Sequence, residues 1–293
     1  MSLPVRLRFV LLCMLSIAGS SIWAQTRPDF TQEWRFAQYL SDKDAFDEAA
    51  YVLGNIKPDG LTPAQLDSLL FFRGWIAYST KSLDEASRQL LQVSPTSAFY
   101  LKSQYFGAYC LAFQGQRQQA ADILQKAPAT DSSLHELKAL QLGGIALLQR
   151  QYEQYDRQRQ AFSYGSYAMA NEEKRMDDYR KQLQSARRRS PVVAGLYSAL
   201  VPGLGKVYAG KTKQGIASFL PVLTLGLLTY EGLRKDGPLS ARFIGFGSLF
   251  TVFYVGNIWG SVLSVNIKRS EFNRVYDNKI LFDMHIPIRN LLN

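Results

Sequence analysis

The chain is poor in the residues that carry most enzyme chemistry. Its 293 positions hold two histidines, His135 and His285, and two cysteines, Cys13 and Cys110. The histidines lie far apart and have no metal-ligand spacing, so no metal site is expected. There is no Walker loop, zincin motif or serine elbow. Gly203 and Gly205 lack the third glycine and the preceding strand of a dinucleotide fingerprint. The carboxylate pairs Asp47-Glu48 and Asp84-Glu85 are neighbours on a helix, where adjacent side chains point apart. No catalytic residue and no cofactor is expected, and the chain does not read as an enzyme. If an N-terminal leader containing Cys13 is removed, Cys110 is the one remaining thiol and no intrachain disulfide is possible.

What is abundant is apolar surface and positive charge. Hydrophobic residues make up 47% of the chain and the formal charge is +10. The charge is unevenly spread. Residues 25–170 hold 14 basic and 15 acidic side chains, whereas residues 171–293 hold 18 basic and 9 acidic. The excess therefore belongs to the stretch with the longest apolar runs. Lys and Arg beside apolar segments read lipid headgroups and set topology, so membrane lipid is the expected partner of this half and nucleic acid is not.

Residues 1–24 have the layout of a secretory signal peptide: Arg6 and Arg8, an apolar run from Phe9 to Ala18, then small residues ending at Ala24. The run is short for a spanning helix, which needs about 20 apolar residues. Leu11 and Leu12 precede Cys13 where a lipidated cysteine needs a small residue.

Residues 25–164 carry a repeat. Ala49, Ala86 and Ala120 stand 37 and 34 residues apart. Twelve positions before them stand Ala37, Gly74 and Ala108, and nine before stand Leu40, Ala77 and Leu111. Leu53, Leu90 and Leu124 follow four positions later, then Ile56, Val93 and Ala127, and Pro58, Pro95 and Pro128 close the units. The small residues suit two helices crossing closely, and the proline stops the second helix. A fourth unit, residues 131–164, is degraded. Its alanine column is expected at Asp156 and its leucine column at Gln160, so it reads as a polar-faced cap.

The spacing resembles the tetratricopeptide repeat. The resemblance implies a helical solenoid whose concave groove holds a protein partner of unknown identity. Trp34, Tyr39, Phe71, Tyr78 and Tyr105 are the candidate groove residues, although packing between helices is the favoured role for any one of them.

Residues 165–190 read as a basic helical connector ending in Arg187-Arg188-Arg189. Residues 191–267 read as a membrane domain with apolar runs at 192–210, 214–233 and 241–267. The last two, joined by the polar turn 234–238, form a hairpin of spanning length. The first is interrupted by Pro202-Gly203 and carries Lys206, which leaves two or three spans open. The tail 268–293 is expected in the cytoplasm after three spans and outside after two. Gly256 and Gly260 make a G-x-x-x-G pair suited to close helix approach. Asn257, polar in an apolar helix, is expected to face protein and to satisfy backbone groups freed at the Pro-Gly break.

The motif Pro202-Gly203-Leu204-Gly205-Lys206-Val207-Tyr208-Ala209-Gly210 resembles a signature of small bacterial two-helix membrane domains related to the TM2 group, with Lys206 where glutamine is more usual. Tyr254 to Gly260 is similar to their second signature. In bacterial envelope proteins such domains are commonly joined to tetratricopeptide repeats. The resemblance covers about 75 residues and implies a membrane fold with little mechanism. The expected whole is an all-α chain, a tetratricopeptide-like solenoid followed by a transmembrane hairpin. It is expected in the bacterial inner membrane with periplasmic repeats, acting as an interaction scaffold. The alternative is an assembly or lipid-handling component working through the hairpin.

Overall fold

The computed structural model describes residues 30–186 and 189–292. The expected signal peptide, Arg187 and Arg188 lie outside the described residues. Within them the chain is all-helical, with no strand. Residues up to Cys110 make one compact unit, and residues from Leu111 make a second.

The first unit contains α1 (Phe30–Asp42), α2 (Phe46–Asn55), α3 (Pro63–Ser79), α4 (Leu83–Leu90) and the start of α5 (Tyr100–Phe113). Its core forms where α1, α2 and α3 meet, from Ala37, Ala49, Leu53, Ile56, Leu69 and Ile76. Thr62 and Gln65 cap α3 reciprocally, with Pro63 in its first turn. Gly74 is obligatory for the approach of α4: a methyl there would lie 2.6 Å from Leu90 Cγ. Arg73, on α3, closes the open end of α2, its Nη2 donating to the Leu53 and Ile56 carbonyls at 2.7 Å each. A cation there satisfies orphan carbonyls and the negative end of the helix together. Asp67 similarly accepts the Ser94 N–H at 2.9 Å.

The second unit contains the end of α5, then α6 (Arg117–Lys126), α7 (Ser132–Leu148), α8 (Tyr152–Gln158) and α9 (Ala170–Ser185). Beyond these come α10 (Pro191–Leu200), α11 (Leu204–Tyr208), α12 (Thr212–Asp236) and α13 (Ala241–Leu292). Lys138, on α7, repeats the capping device of Arg73 by donating to the Gln125 and Ala127 carbonyls past the end of α6.

One turn recurs in both units. Asp44, Lys81, Gly115 and Arg150 all have left-handed φ, between +58° and +87°. After each, the next N–H bonds back to Leu40, Ala77, Leu111 and Ala146 respectively. This is the helix-stop geometry in which a left-handed residue turns the chain back. The turn corrects the register expected for the fourth unit. Tyr155, five residues after Arg150, is fully buried, and Asp156 is exposed. Gly143 stands twelve before Tyr155, its Cβ position 3.4 Å from Tyr155 Cδ2. The column has exchanged a small-small pair for glycine against tyrosine, which a search for alanine misses. Arg159, not Gln160, takes the leucine column, and Phe162 closes the unit edge-on to Tyr155.

The connector and the tail both pack into the second unit. Met176, Leu183, Glu172 and Glu173 of α9 are buried. α13 does not stop at residue 267 but runs 52 residues to Leu292, a length of about 78 Å at 1.5 Å per residue. Its last third packs on α7 and α9. Met284 fills the notch at Gly144, where a Cβ would lie 2.5 Å from its sulfur, and its carbonyl accepts from Gln141 at 2.7 Å. Asp283, buried, accepts from Arg175 Nε at 2.9 Å and Tyr179 OH at 2.8 Å. Asp277 pairs with Arg117 and Arg150 at 3.0 and 2.8 Å.

α12 and the first half of α13 are long and apolar enough to cross a membrane, and only 11% and 22% of their most apolar windows are buried. Leu220, Leu227, Val252 and Trp259 point outward, which a core helix of a water-soluble fold would avoid. Serine and threonine hydroxyls bond within their own helices, as Thr224 to Leu220 O and Thr251 to Gly247 O, so these donors need no water. α10, at 10 residues, reaches about 15 Å, half a bilayer core.

The revised register gives a direct test. Tyr155→Ala is expected to lower stability by about 3–5 kcal/mol, the range for a buried aromatic, and Asp156→Ala by less than about 1 kcal/mol. Thermal melts of the detergent-purified chain compare them, and equal losses would restore the original column.

Candidate functional site: the polar knot at the broken helix

The first apolar run folds as α10, a turn at residues 201–203, and α11. The turn exists because Gly203 takes φ +86° and lies against Gly215: a methyl on it would sit 2.2 Å from the Gly215 carbonyl oxygen. Gly205 is equally constrained, its Cβ position 1.9 Å from the Ala194 carbonyl. Gly215 completes the crossing of α11 with α12, and its Cβ position meets Val207 Cγ2 at 2.6 Å.

Breaking a helix in apolar surroundings frees N–H groups that must find partners. Asn257 Oδ1, from α13, accepts the Gly203 N–H at 3.1 Å. Ser198 Oγ accepts the Gly205 N–H at 2.9 Å and lies 2.6 Å from Ser261 Oγ. Ser261 also donates to the Asn257 carbonyl at 2.9 Å, and Tyr254 OH donates to the Ala199 carbonyl. Asn257, Ser198 and Ser261 are all buried. The Asn257 amide therefore lies where its expected role requires. Its Nδ2 is left without a partner among the described residues. Lys206 lies at the edge, donating to Ser218 Oγ at 2.5 Å.

Gly256 and Gly260 do not act as a helix-approach pair within the chain. Nothing comes within 4 Å of a Cβ at Gly256, and Gly260 faces only the Lys206 side chain, at 3.4 Å. The close approaches lie at other glycines: Gly203, Gly205 and Gly215 bring α10, α11 and α12 together, and Gly232 brings α12 against the start of α13, its Cβ position 3.1 Å from the Phe243 nitrogen. Gly210 has φ +84° and leaves room for Arg189, whose Nη1 would lie 2.9 Å from a Cβ. Tyr208 anchors the entry to the knot: its hydroxyl accepts the Ser190 N–H at 3.2 Å and its ring meets Tyr197 edge-on. Pro202 is half-buried at the turn.

The repeat positions are all interior: Ala37, Ala49, Ala86, Ala108 and Ala120 have no more than 2% exposure, and Gly74 is buried. The groove candidates divide. Phe71 and Tyr105 are buried and unable to face a partner in this conformation. Trp34 packs on Phe30 and Phe72, and Tyr78 on Trp75 and Phe106. Tyr39 is 57% exposed, and Phe36 and Tyr51, which no repeat column marks, are exposed as well.

Among the described residues no three His, Cys, Asp or Glu side chains gather to hold a metal ion. Burial pushes the Cys110 thiol up to about 12, far from a reactive thiolate. One titratable pair stands out. Glu136 on α7 accepts from the Ser163 N–H at 2.8 Å, and Glu173 on α9 accepts from the Tyr164 N–H at 2.8 Å. Burial, then a hydrogen bond with Glu136, pushes the Glu173 carboxyl up to about 7. Its Oε1 meets no donor, which a proton shared with Glu136 resolves. The pair is closed to solvent and ties α7, α9 and the intervening loop together.

No protein-family profile, curated protein or solved structure matches the chain. The site therefore stands on its own geometry.

Asn257→Leu is expected to lower detergent stability by about 1–3 kcal/mol, the range for a stranded buried N–H, and an unchanged melting temperature would remove Asn257 from the role. Gly205→Ala is expected to prevent a native melt, whereas Gly256→Ala leaves it unchanged; the reverse order would restore the G-x-x-x-G reading. Glu173 has a folded pKa above its ordinary value. It contributes stability below about pH 4.5 that is lost as the pH rises through about 7. Glu173→Gln is expected to melt higher than the unsubstituted chain at about pH 8 and to lose that advantage at about pH 5. Parallel melting curves across that range would refute the shared proton.

Proposed function

We propose that the chain is a membrane-anchored scaffold of the cell envelope, in which tetratricopeptide-like repeats recruit a protein partner and the α12–α13 hairpin spans the inner membrane twice. The supporting observation is the course of α13. It leaves an outward-facing apolar half and continues unbroken into a half that is ion-paired to Arg117 of α6, Arg150 just beyond α7 and Arg175 of α9. A helix that returns to the body it departed from requires an even number of crossings. α10 and α11 are too short to add a third, so they fill the interior of the anchor instead.

The signal-like residues 1–24 favour export of the helical body to the periplasm. The cations of the body count for less than those of short loops in setting orientation, and the short hairpin tip carries Arg234, Lys235 and Arg242. Phe36, Tyr39 and Tyr51 are the aromatic surface available to a partner in the first unit. Binding is the reading that these exposed aromatics support. A lipid-handling role has its own supporting observation, the basic cavity taken up below.

Reporter fusions at Arg189, Asp236 and Asn293 test the topology. Arg189 and Asn293 are expected on the same side and Asp236 on the other, and Asn293 sharing the side of Asp236 would overturn two spans. Purification in mild detergent tests the scaffold. A co-purifying envelope protein is expected to be lost with Tyr39→Ala/Tyr51→Ala, and its retention would exclude this surface.

A further inference from the structure

A cavity of about 530 Å³ opens where the hairpin meets α9, a volume typical of small-molecule sites. Its apolar wall comes from Leu183, Val265 and Phe272, and its polar rim carries Arg189, Lys268 and Arg269. Arg150 also lines it but is already ion-paired with Asp277 at 2.8 Å.

The three rim cations are poorly neutralised. Among the described residues, Arg189 and Arg269 have no carboxylate within ion-pair reach, and Lys268 has only Glu271 at 4.0 Å. They are nonetheless held in place. Arg269 Nη2 donates to the Arg189 carbonyl at 3.0 Å, and the Arg189 guanidinium lies over the Tyr208 ring at 5.7 Å. Gly210 supplies the space Arg189 occupies. At the opposite end of the hairpin, Lys235 pairs with Glu231 at 2.7 Å and Arg242 with Asp236 at 3.2 Å. Two of the three cations at the tip are thus answered, Arg234 being the exception among the described residues, whereas none of the three rim cations has a carboxylate closer than 4.0 Å.

The level of the cavity identifies its occupant. The continuous apolar run of α13 ends at Ile267, and Lys268-Arg269 follow at once; beyond them Val275 and Phe282 are exposed singly among polar residues. A molecule in the cavity would have its charged end at the headgroup level and its apolar end against Val265, Phe272 and the hairpin surface. That combination is an amphiphile with an anionic phosphate head.

We propose that this cavity binds one anionic phospholipid, its phosphodiester held by Arg189 and Arg269 with Lys268 at the rim, and its glycerol and upper acyl segment against Val265, Leu183 and Phe272. The proposal rests on the reading that α12 and α13 are embedded in the bilayer. The fusion experiment reports on that reading without reference to lipid, so the two can fail separately.

The test uses the full chain in mild detergent, titrated with phosphatidylglycerol, phosphatidylcholine or inorganic phosphate, with thermal shift and native mass spectrometry as readouts. Phosphatidylglycerol is expected to raise the melting temperature and to remain bound as a single copy, while the other two have no effect. Arg189→Gln/Arg269→Gln is expected to weaken phosphatidylglycerol binding about thirtyfold, and Lys268→Gln about fivefold, in line with the attraction of single cations to anionic lipid. Lys235→Gln at the tip is expected to change nothing. If the double variant does not fold, Lys268→Gln alone decides. Equal stabilisation by phosphatidylcholine would reduce the cavity to an ordinary acyl contact. Stabilisation by inorganic phosphate alone would assign the cations to a free anion, and undiminished binding in the variants would place the lipid elsewhere. Each of these three results overturns the proposal.

Discussion

Two carboxylates on one helix, Asp277 and Asp283, hold the second unit together. Asp283 has 2% exposure, and a charge removed from water that far is tolerable only with partners. Arg175 and Tyr179 of α9 supply them. Asp277, one and a half turns earlier, collects Arg117 and Arg150 from the ends of α6 and α7. The return of α13, the burial of α9 and the filling of the Gly144 notch by Met284 all depend on these charges meeting. They also make the proposed anchor more than a tether: movement of the hairpin relative to α7 and α9 would separate these ion pairs and strand the buried Asp283.

A second constraint operates at the other end of α13. The chain between Ser190 and Thr212 is apolar in composition yet broken in backbone, and a broken backbone needs local hydrogen-bond partners where water is excluded. Asn257 and Ser261 provide them from α13 and Ser198 from α10. The same helix therefore serves two chemistries, with neutral hydrogen bonds in its apolar half and ion pairs beyond Lys268. The dielectric surroundings account for the division, since neutral donors are far less costly than charges to bury away from water. The basic cavity lies at the transition between these regimes, where a charged rim and an apolar wall coexist without conflict.

Much of the helical layout was legible in the residues. The paired helices, their small-residue columns, the prolines after them and the two long apolar helices follow from periodicity and composition, which are local properties. The Asn257 amide was also legible, because a polar side chain in an apolar helix has few places to go. The register of the fourth unit was not. Gly143 keeps a small residue on one helix while Tyr155 puts a ring on the other, so the column's residue types change although the two positions still meet. The groove aromatics were open between two roles. Phe71 and Tyr105 have the residue type of a binding surface, and only their neighbours show that they take the packing role. The glycine pair at 256 and 260 misled, since spacing shows that two helices can approach but not that they do.

The sequence by itself determined that the chain is helical, that its basic charge gathers beside its apolar runs, and that it contains a hairpin of spanning length. These follow from side-chain period and transfer free energy, which act residue by residue. Tertiary structure alone decided that the first apolar run is a packed break, that the connector is core, and that the tail returns to α7 and α9. Each of these depends on pairs far apart in the chain: Gly203 with Asn257, Glu136 with Glu173, Arg175 with Asp283. No local pattern announces such pairs, because a buried polar group declares its partner only once the fold has brought the two together.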